Sequence, residues 1–304
     1  MREVIAAVEE VFRVWGRGEA KMPSKSYLML EKGDFRAMPA YIPGAAGMKW
    51  VNVHPQNPSL GLPTVMAVLI YSDPETGYPL AVMDAADITA YRTGAAAAVA
   101  SRYLANKNAR TLGLVGAGKQ AYTQIMAHAA VFELELIKVY DILASNVTRL
   151  INTFPLYRIQ ACSLEETVAS DIVCTVTPAR EPVVKKSMVR PGTHINAVGA
   201  DAPGKEELEA DILTQAMIVV DDMKQATASG EVNVPLSQGL LEAKDIYGTL
   251  GEIICGQKRG RRNDAEITLF DSTGVAIEDM ACAHIIYQKA RQKENLLRLN
   301  LVDG

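Results

Sequence analysis

Two cations interrupt the most strand-like part of this chain. Arg36 sits in FRAMPAYIP and Lys49 in MKWVNVHP, stretches whose apolar residues read as half-buried strands. Alternation by itself sends a lone strand lysine to solvent. Beside a ligand site the pair has another reading: an arginine fork can clasp a carboxylate, and a desolvated lysine loses proton affinity until it serves as acid and base near neutral pH. The glycine-rich stretch GLVGAGKQA, residues 113–121, offers such a site, and it misses two signatures by one residue each. Read as G-x-x-x-x-G-K-[ST], it has Gly113, Gly118 and Lys119 but ends on Gln120, which has no hydroxyl for a metal ion. Read as G-x-G-x-x-[GA], it has Gly116, Gly118 and Ala121, the pattern of a dinucleotide loop. Asp141 follows the apolar run LIKVY, 25 residues after Gly116, near the spacing of the acid that bonds a ribose 2′-hydroxyl. A carboxylate there repels a 2′-phosphate, and Ile142 and Leu143 bring no arginine to receive one, so NAD is expected rather than NADP.

A dinucleotide loop needs a strand before it and a helix after it. TLGLV reads as a buried strand and Lys119–His128 as a helix, so the loop has both. Gly113 then lies inside the strand and cannot open a phosphate cradle. Gly116 permits the tight turn, Gly118 lets the backbone approach a diphosphate, Ala121 lets helix and strand touch, and the helix start supplies amide donors. From Arg110 onward the short apolar runs TLGLV, LIKVY, DIVCTVT, THINAVG, AMIVVDD and EITLFD alternate with helix-like stretches, the punctuation of a doubly wound, Rossmann-type parallel sheet. Ser24 to Asp84 has a different grammar: SKSYLML, FRAMPAYIP, MKWVNVHP, TVMAVLIYSD and PLAVMD, with turns at EKGD and PETG, predict a mostly antiparallel meander. The fold class is therefore α/β, with a second α+β unit. DITAYRTGAAAAVASRYLA, residues 87–105, predicts the joining helix, and residues 274–294 predict a final one. Ligands of a parallel sheet bind at the carboxyl ends of its strands. Those ends carry Thr175 and Thr177, Asp201 and Lys205, and Asp271, Ser272 and Thr273, which serve equally well as helix caps and turn residues.

At 304 residues the chain is long enough for two compact units. A formal net charge of −4 with interspersed signs gives no basic stripe for nucleic acid, and KRGRR at 258–262 reads as a short solvated loop. No apolar stretch is long enough to cross a bilayer and no leader precedes the first helix, so a cytoplasmic protein without membrane contact is expected. The four cysteines have no C-x-x-C spacing and the four histidines form no metal-binding pair, which predicts neither disulfides nor a metal site.

Long stretches also resemble a known family. RAMPAYIPGAAGMKWVNVHPQNPSLGLPTVMA, PETGYPLAVMDAADITAYRTGAAAAVASRYLA, LGLVGAGKQAYTQ, NAVGADAPGKEEL and LFDSTGVAIED fall in the order and pattern of the ornithine cyclodeaminase and mu-crystallin family, and most closely of its archaeal alanine dehydrogenase branch. The resemblance covers nearly the whole chain. It implies a homodimer of two-domain subunits, with residues 106–275 as the NAD-binding domain and residues 1–105 and 276–304 as the substrate-binding and dimerisation domain. By resemblance Arg36 holds a substrate carboxylate, Lys49 and Asp201 are catalytic, with Lys49 also meeting the substrate, and Arg92 stands where substrate and cofactor meet. Lys119, Gln120, Asp141, Thr175, Val176, Thr177, Val198, Lys205 and Ser272 match cofactor-contact positions.

The chain also departs from the family pattern. Family chains usually begin with an extra strand and turn before the helix that here opens as MREVIAAVEEVF, and SNVTRLINTFPLYRIQA is shortened and lacks the usual charged helix.

The activity this implies is NAD-dependent oxidative deamination of a small L-amino acid, with L-alanine converted to pyruvate and ammonia, and the reverse amination of the keto acid. Arg36 would fix the carboxylate while Lys49, with Asp201 nearby, moves protons. A cyclic ketimine reductase or an ornithine cyclodeaminase is the alternative within the family. A cyclodeaminase needs an acid for the distal amine, whereas Ala37, Met38 and Ala40 beside Arg36 suggest a small apolar pocket. A binding protein of the crystallin kind, with nucleotide and no turnover, is the alternative outside catalysis.

Overall fold

The meander is present in a computed structural model of the chain, which describes residues 1–293, 296 and 297. After helix α1 (Arg2–Gly16), strands β1 (Ser26–Leu30), β2 (Gly33–Ile42), β3 (Ala45–Val53), β4 (Val65–Ser72) and β5 (Pro79–Asp84) form one antiparallel sheet in chain order. Burial alternates strictly along β2: Arg36, Met38, Ala40 and Ile42 face the protein interior, while Phe35, Ala37, Pro39 and Tyr41 take the other face. Ala37 therefore cannot share a pocket with Met38 and Ala40, as the sequence reading had it.

Helix α2 (Ala86–Leu104) follows, its alanine run wholly buried. It leads to a second sheet of eight parallel strands: β6 (Thr111–Val115), β7 (Leu136–Tyr140), β8 (Ile159–Ala161), β9 (Ile172–Thr175), β10 (His194–Ala197), β11 (Met217–Val220), β12 (Ile246–Thr249) and β13 (Thr268–Asp271). Six of these were predicted. β8 and β12 were not, being three and four residues long with no run of β-branched side chains. Helices α3 (Lys119–His128), α4 (Ala144–Thr153), α5 (Leu164–Val168), α6 (Ala210–Leu213), α7 (Met223–Ser229), α8 (Asn233–Ser237) and α9 (Leu250–Ile254) connect the strands, and α10 (Ala276–Ala290) closes the described chain. The shortened stretch after Asp141 still forms α4, with Arg149 as its one charge.

The strand order is β12-β11-β13-β10-β9-β6-β7-β8. The chain runs outward from β6 through β7 and β8, then returns to β9 on the other side of β6. The sheet therefore reverses direction between β6 and β9, and a crevice opens at their carboxyl ends, where doubly wound sheets bind ligands. Helix α10 packs back on β2 and β3. Its predicted end at Glu294, and most of the segment to residue 304, lie outside the described residues.

The KRGRR stretch is not simply a solvated loop. Arg261 turns inward, donating from Nε to Leu104 O at 2.7 Å and from Nη2 to Gly192 O at 3.0 Å. It satisfies a carbonyl at the carboxyl end of α2, where a cation also meets the negative end of the helix dipole.

Candidate active site

Register brings the two strand cations together. Arg36 lies opposite Val51 and Lys49 opposite Met38, so their side chains share the interior face one diagonal step apart. Both are almost fully buried, Arg36 at 4% and Lys49 at 1% exposure, which overturns the ordinary expectation for a strand lysine. They line a cavity of about 400 Å³ between the antiparallel sheet and the carboxyl ends of the parallel strands. Lys25, Met38, Val51 and Val65 complete its floor; Thr89, Ala90, Arg92 and Thr93 enter from the start of α2. The opposite wall is Gly118 to Gln120, Val176 to Pro178, Val198, Gly199, Asp201, Lys205 and Ser272 to Gly274. A larger hollow of about 540 Å³, lined by Arg102, Asp171, Arg262 and Asp264 among others, lies at the opposite, amino ends of the strands and contains none of the predicted site residues.

Electrostatics in the cavity are tightly paired. Arg36 donates to both carboxylate oxygens of Asp34, from Nε at 2.6 Å and from Nη2 at 3.3 Å, and from Nη1 to Asp201 Oδ2 at 2.7 Å. The other oxygen of Asp201 accepts from Lys205 Nζ at 2.7 Å. Burial works against a charge on Asp201, but Arg36, Lys205 and Lys25 outweigh it and hold the carboxyl well below the usual range. Lys49 Nζ lies 2.6 Å from Asp279 Oδ2 and 3.3 Å from Thr89 Oγ1. Burial pushes its amine down to about 8; Asp279 pulls it back up, and Arg92 and Lys25 add to the depression. Arg92 is fixed by Nε to Asp279 Oδ1 and by Nη1 to Glu278 Oε2, each at 3.0 Å. Lys25 donates to the carbonyl of Thr273 at 2.6 Å, and burial lowers it to about 8 as well.

The glycine loop follows the dinucleotide pattern. Gly116 has φ 104°, a region unfavourable to other residues, and a side chain there would meet Val176 O at 3.0 Å. Gly118 caps α3 with open space where a Cβ would be, and no side chain bonds the free amides of the first helical turn. Ala121 is fully buried. The Asp141 carboxylate braces the loop, accepting from Ala117 N at 2.7 Å and Leu143 N at 2.8 Å. Ser272 Oγ is buried at the cavity wall with no hydrogen-bond partner among the described residues. These features fit a dinucleotide: a turn only glycine accepts, uncapped amides for a diphosphate, and an unsatisfied hydroxyl where a polar group would complete it.

Not every predicted residue reaches the cavity. Thr175 is fully buried and donates to Glu207 Oε2 at 2.6 Å, under the rim rather than on it. Thr177 does line the cavity, with Glu207 Oε1 accepting from its amide and its hydroxyl, each at 2.7 Å. Lys119 is exposed and pairs with Asp87 at 3.1 Å, and Gln120 accepts from Thr123 at 3.4 Å. Asp201, expected beside Lys49, is bound to Arg36 and Lys205; the carboxylate touching Lys49 is Asp279.

Sequence reasoning missed Lys25, Asp34, Glu207, Glu278 and Asp279. Asp34 was within reach, two residues from Arg36 on the same strand face. So was the Glu278–Asp279 pair, adjacent acids in an otherwise apolar helix start. Lys25 and Glu207 gave no signal, since only the tertiary fold turns them inward.

The model of the ornithine cyclodeaminase/mu-crystallin family matches residues 1–294. Alanine dehydrogenase of Archaeoglobus fulgidus is 50% identical over 295 residues, spanning 96% of this chain and 92% of that protein. Among solved structures, an archaeal alanine dehydrogenase dimer with bound NAD superposes with a TM-score of 0.97 at 48% identity, covering 99% of this chain and 95% of the other. The Delta(1)-pyrroline-2-carboxylate reductase of Thermococcus litoralis, in complex with NADH and L-proline, gives 0.92 at 38% identity, covering 96% and 94%.

Proposed function

This chain belongs to the ornithine cyclodeaminase/mu-crystallin family, and on that premise we propose that it is an NAD-dependent dehydrogenase of a small L-amino acid, with L-alanine as substrate, a reading supported by its 50% identity to the alanine dehydrogenase of Archaeoglobus fulgidus. Alanine, NAD⁺ and water give pyruvate, ammonium, NADH and a proton. The observation that carries this reading is the burial of Arg36 and Lys49 on one sheet face, in the same cavity as the glycine loop. NAD, when bound, supplies the hydride acceptor; Gly116, Gly118, Lys119, Gln120, Asp141, Val176, Thr177, Val198, Lys205 and Ser272 would hold it, with Thr175 behind them.

The chain's own side chains bind substrate and move protons. Arg36 holds the substrate carboxylate, and for that Asp201 must yield Nη1 of the guanidinium. Once released, the Asp201 carboxylate can face the substrate ammonium, which gives it a place in the site without contact to Lys49. Lys49 takes a proton from the amine and returns one as water adds to the imine, a role suited to an amine held near 8 by burial. Arg92, locked by Glu278 and Asp279, lines the junction of the substrate and nucleotide sides.

The division into residues 1–105 with 276–304 for the substrate and 106–275 for NAD belongs to the same proposal, as does a homodimer. The outer face of the antiparallel sheet exposes Trp50, Met66, Val68, Ile70, Leu80 and Val82, an apolar surface suited to a second copy, and the archaeal alanine dehydrogenase it resembles is a dimer.

Reduction of a cyclic imino acid is the second reading, favoured by the likeness to a structure that holds L-proline. NADH absorbance separates the two. Growth with L-alanine and NAD⁺, and loss with pyruvate, ammonia and NADH, supports the first; loss only with cyclic imines supports the second. Inertness in every combination removes both.

A further inference from the structure

Lys49 does not stand alone in the cavity. It has Arg92 and Thr89 on one side from α2, Lys25 from the segment before β1, Arg36 on the neighbouring strand, and Asp279, with Glu278 next to it, from α10. The cationic neighbours and burial all disfavour a protonated amine. Asp279 works the other way: its Oδ2 lies 2.6 Å from Lys49 Nζ, its Oδ1 accepts from Arg92 Nε at 3.0 Å, and at 1% exposure it is hardly screened by water. Asp201 touches Arg36 and Lys205 and has no contact with Lys49 among the described residues.

We propose that Asp279, on the closing helix α10, is the positioning residue that holds Lys49 and sets when its amine carries a proton. It rests on the reading of Lys49 as the group that moves protons. Each oxygen of Asp279 has its own cation, so the carboxylate fixes the Lys49 amine against β3 and α2 and keeps it chargeable. Without Asp279, Lys49 would stay neutral among cations and have no proton to return to the substrate.

The test reads Lys49 directly. Purified full-length protein, free of ligand, is pulsed with acetic anhydride over a pH series, and peptide mass spectrometry follows acylation of Lys49, which reports the neutral amine. Asp279→Asn is expected to lower the midpoint by ~1 to 3 pH units, the effect of removing an opposite charge in contact. Asp279→Glu is expected to restore most of it, and Asp201→Asn to leave it in place. Should Asp279→Asn fail to fold, Asp279→Ser, which leaves room for water between the two cations, carries the same expectation. A midpoint unmoved by loss of the Asp279 charge, or moved as far by Asp201→Asn, overturns the proposal. The pH profile of kcat/KM with the amino acid should shift with the label. Activity absent on every amino acid would sink the proposed function and leave the labelling result standing.

Discussion

At Arg36 the guanidinium already bears two carboxylates, Asp34 along one edge and Asp201 on Nη1. Only a planar fork can keep Asp34 and accept a substrate carboxylate together. Arg36→Lys is therefore expected to raise KM for the amino acid by tenfold or more, on the order of the 1.5–3 kcal/mol of a charged hydrogen bond, while KM for NAD changes little. Steady-state kinetics check this, and an unchanged amino-acid KM would remove Arg36 from carboxylate binding. Lys49→Ala is expected to lower kcat by about 10²-fold or more, the usual contribution of a general acid–base group; full turnover would exclude Lys49 from the chemistry. Both residues were legible because a charge in an alternating strand stands out. Their partners were less so: Asp34 shares the pattern of Arg36, but Asp279 comes from a helix some 230 residues after Lys49, and no local pattern connects them.

Among the elements, the loops after β9 and β10 are held by one buried carboxylate. Glu207 accepts from Thr175 Oγ1, Thr177 N, Thr177 Oγ1 and Gly199 N, all within 2.6–2.8 Å. Glu207→Leu leaves the two amides and two hydroxyls without that acceptor, at ~1 to 3 kcal/mol for each group that stays buried and unpaired. Its expected signature is a lower Tm together with a raised KM for NAD, because Val176, Thr177, Val198 and Gly199 line the cavity proposed to hold the nucleotide. Thermal unfolding and NAD titration check both; a KM at the wild-type value would show that the loops keep their shape without it. At this scale the sequence was a good guide wherever an element was long and periodic. The meander, α3 and six parallel strands were read from apolar runs and turn residues, and the tight turn at Gly116 was legible because a positive φ there is a local requirement. Strands β8 and β12 escaped because pairing with β7 and β11, not composition, makes them strands. Thr175 and Arg261 were misplaced for a similar reason, since each is turned inward by a partner distant in sequence, Glu207 and Leu104.

Across the whole molecule, buried carboxyls between the sheets tie stability to pH. Burial, with Asp221 close by, raises Asp271 to about 8, although backbone amides, Val232 N at 3.2 Å among them, donate to its carboxyl. The folded state therefore keeps a proton that the unfolded chain releases near 4. This stabilisation is complete below that value and is lost as pH rises towards 8. Asp271→Asn keeps the uncharged shape, so its stability relative to wild type should grow over that interval. Denaturant unfolding at several pH values checks the trend, and a constant difference would contradict it. The apolar outer face of the antiparallel sheet leads to a separate expectation: Val68→Glu with Ile70→Glu places charge across that face and should turn a dimer into a monomer by light scattering, whereas an unchanged mass would place the interface elsewhere. Both expectations surround the central claim, that the crevice at the β6–β9 reversal seats NAD against the pocket of Arg36 and Lys49. A crystal structure of the protein with NAD tests it most directly. The account predicts the diphosphate on the first turn of α3 and the nicotinamide beside Ser272 and Arg92, facing Lys49. An empty crevice, or a nucleotide bound elsewhere, would contradict it.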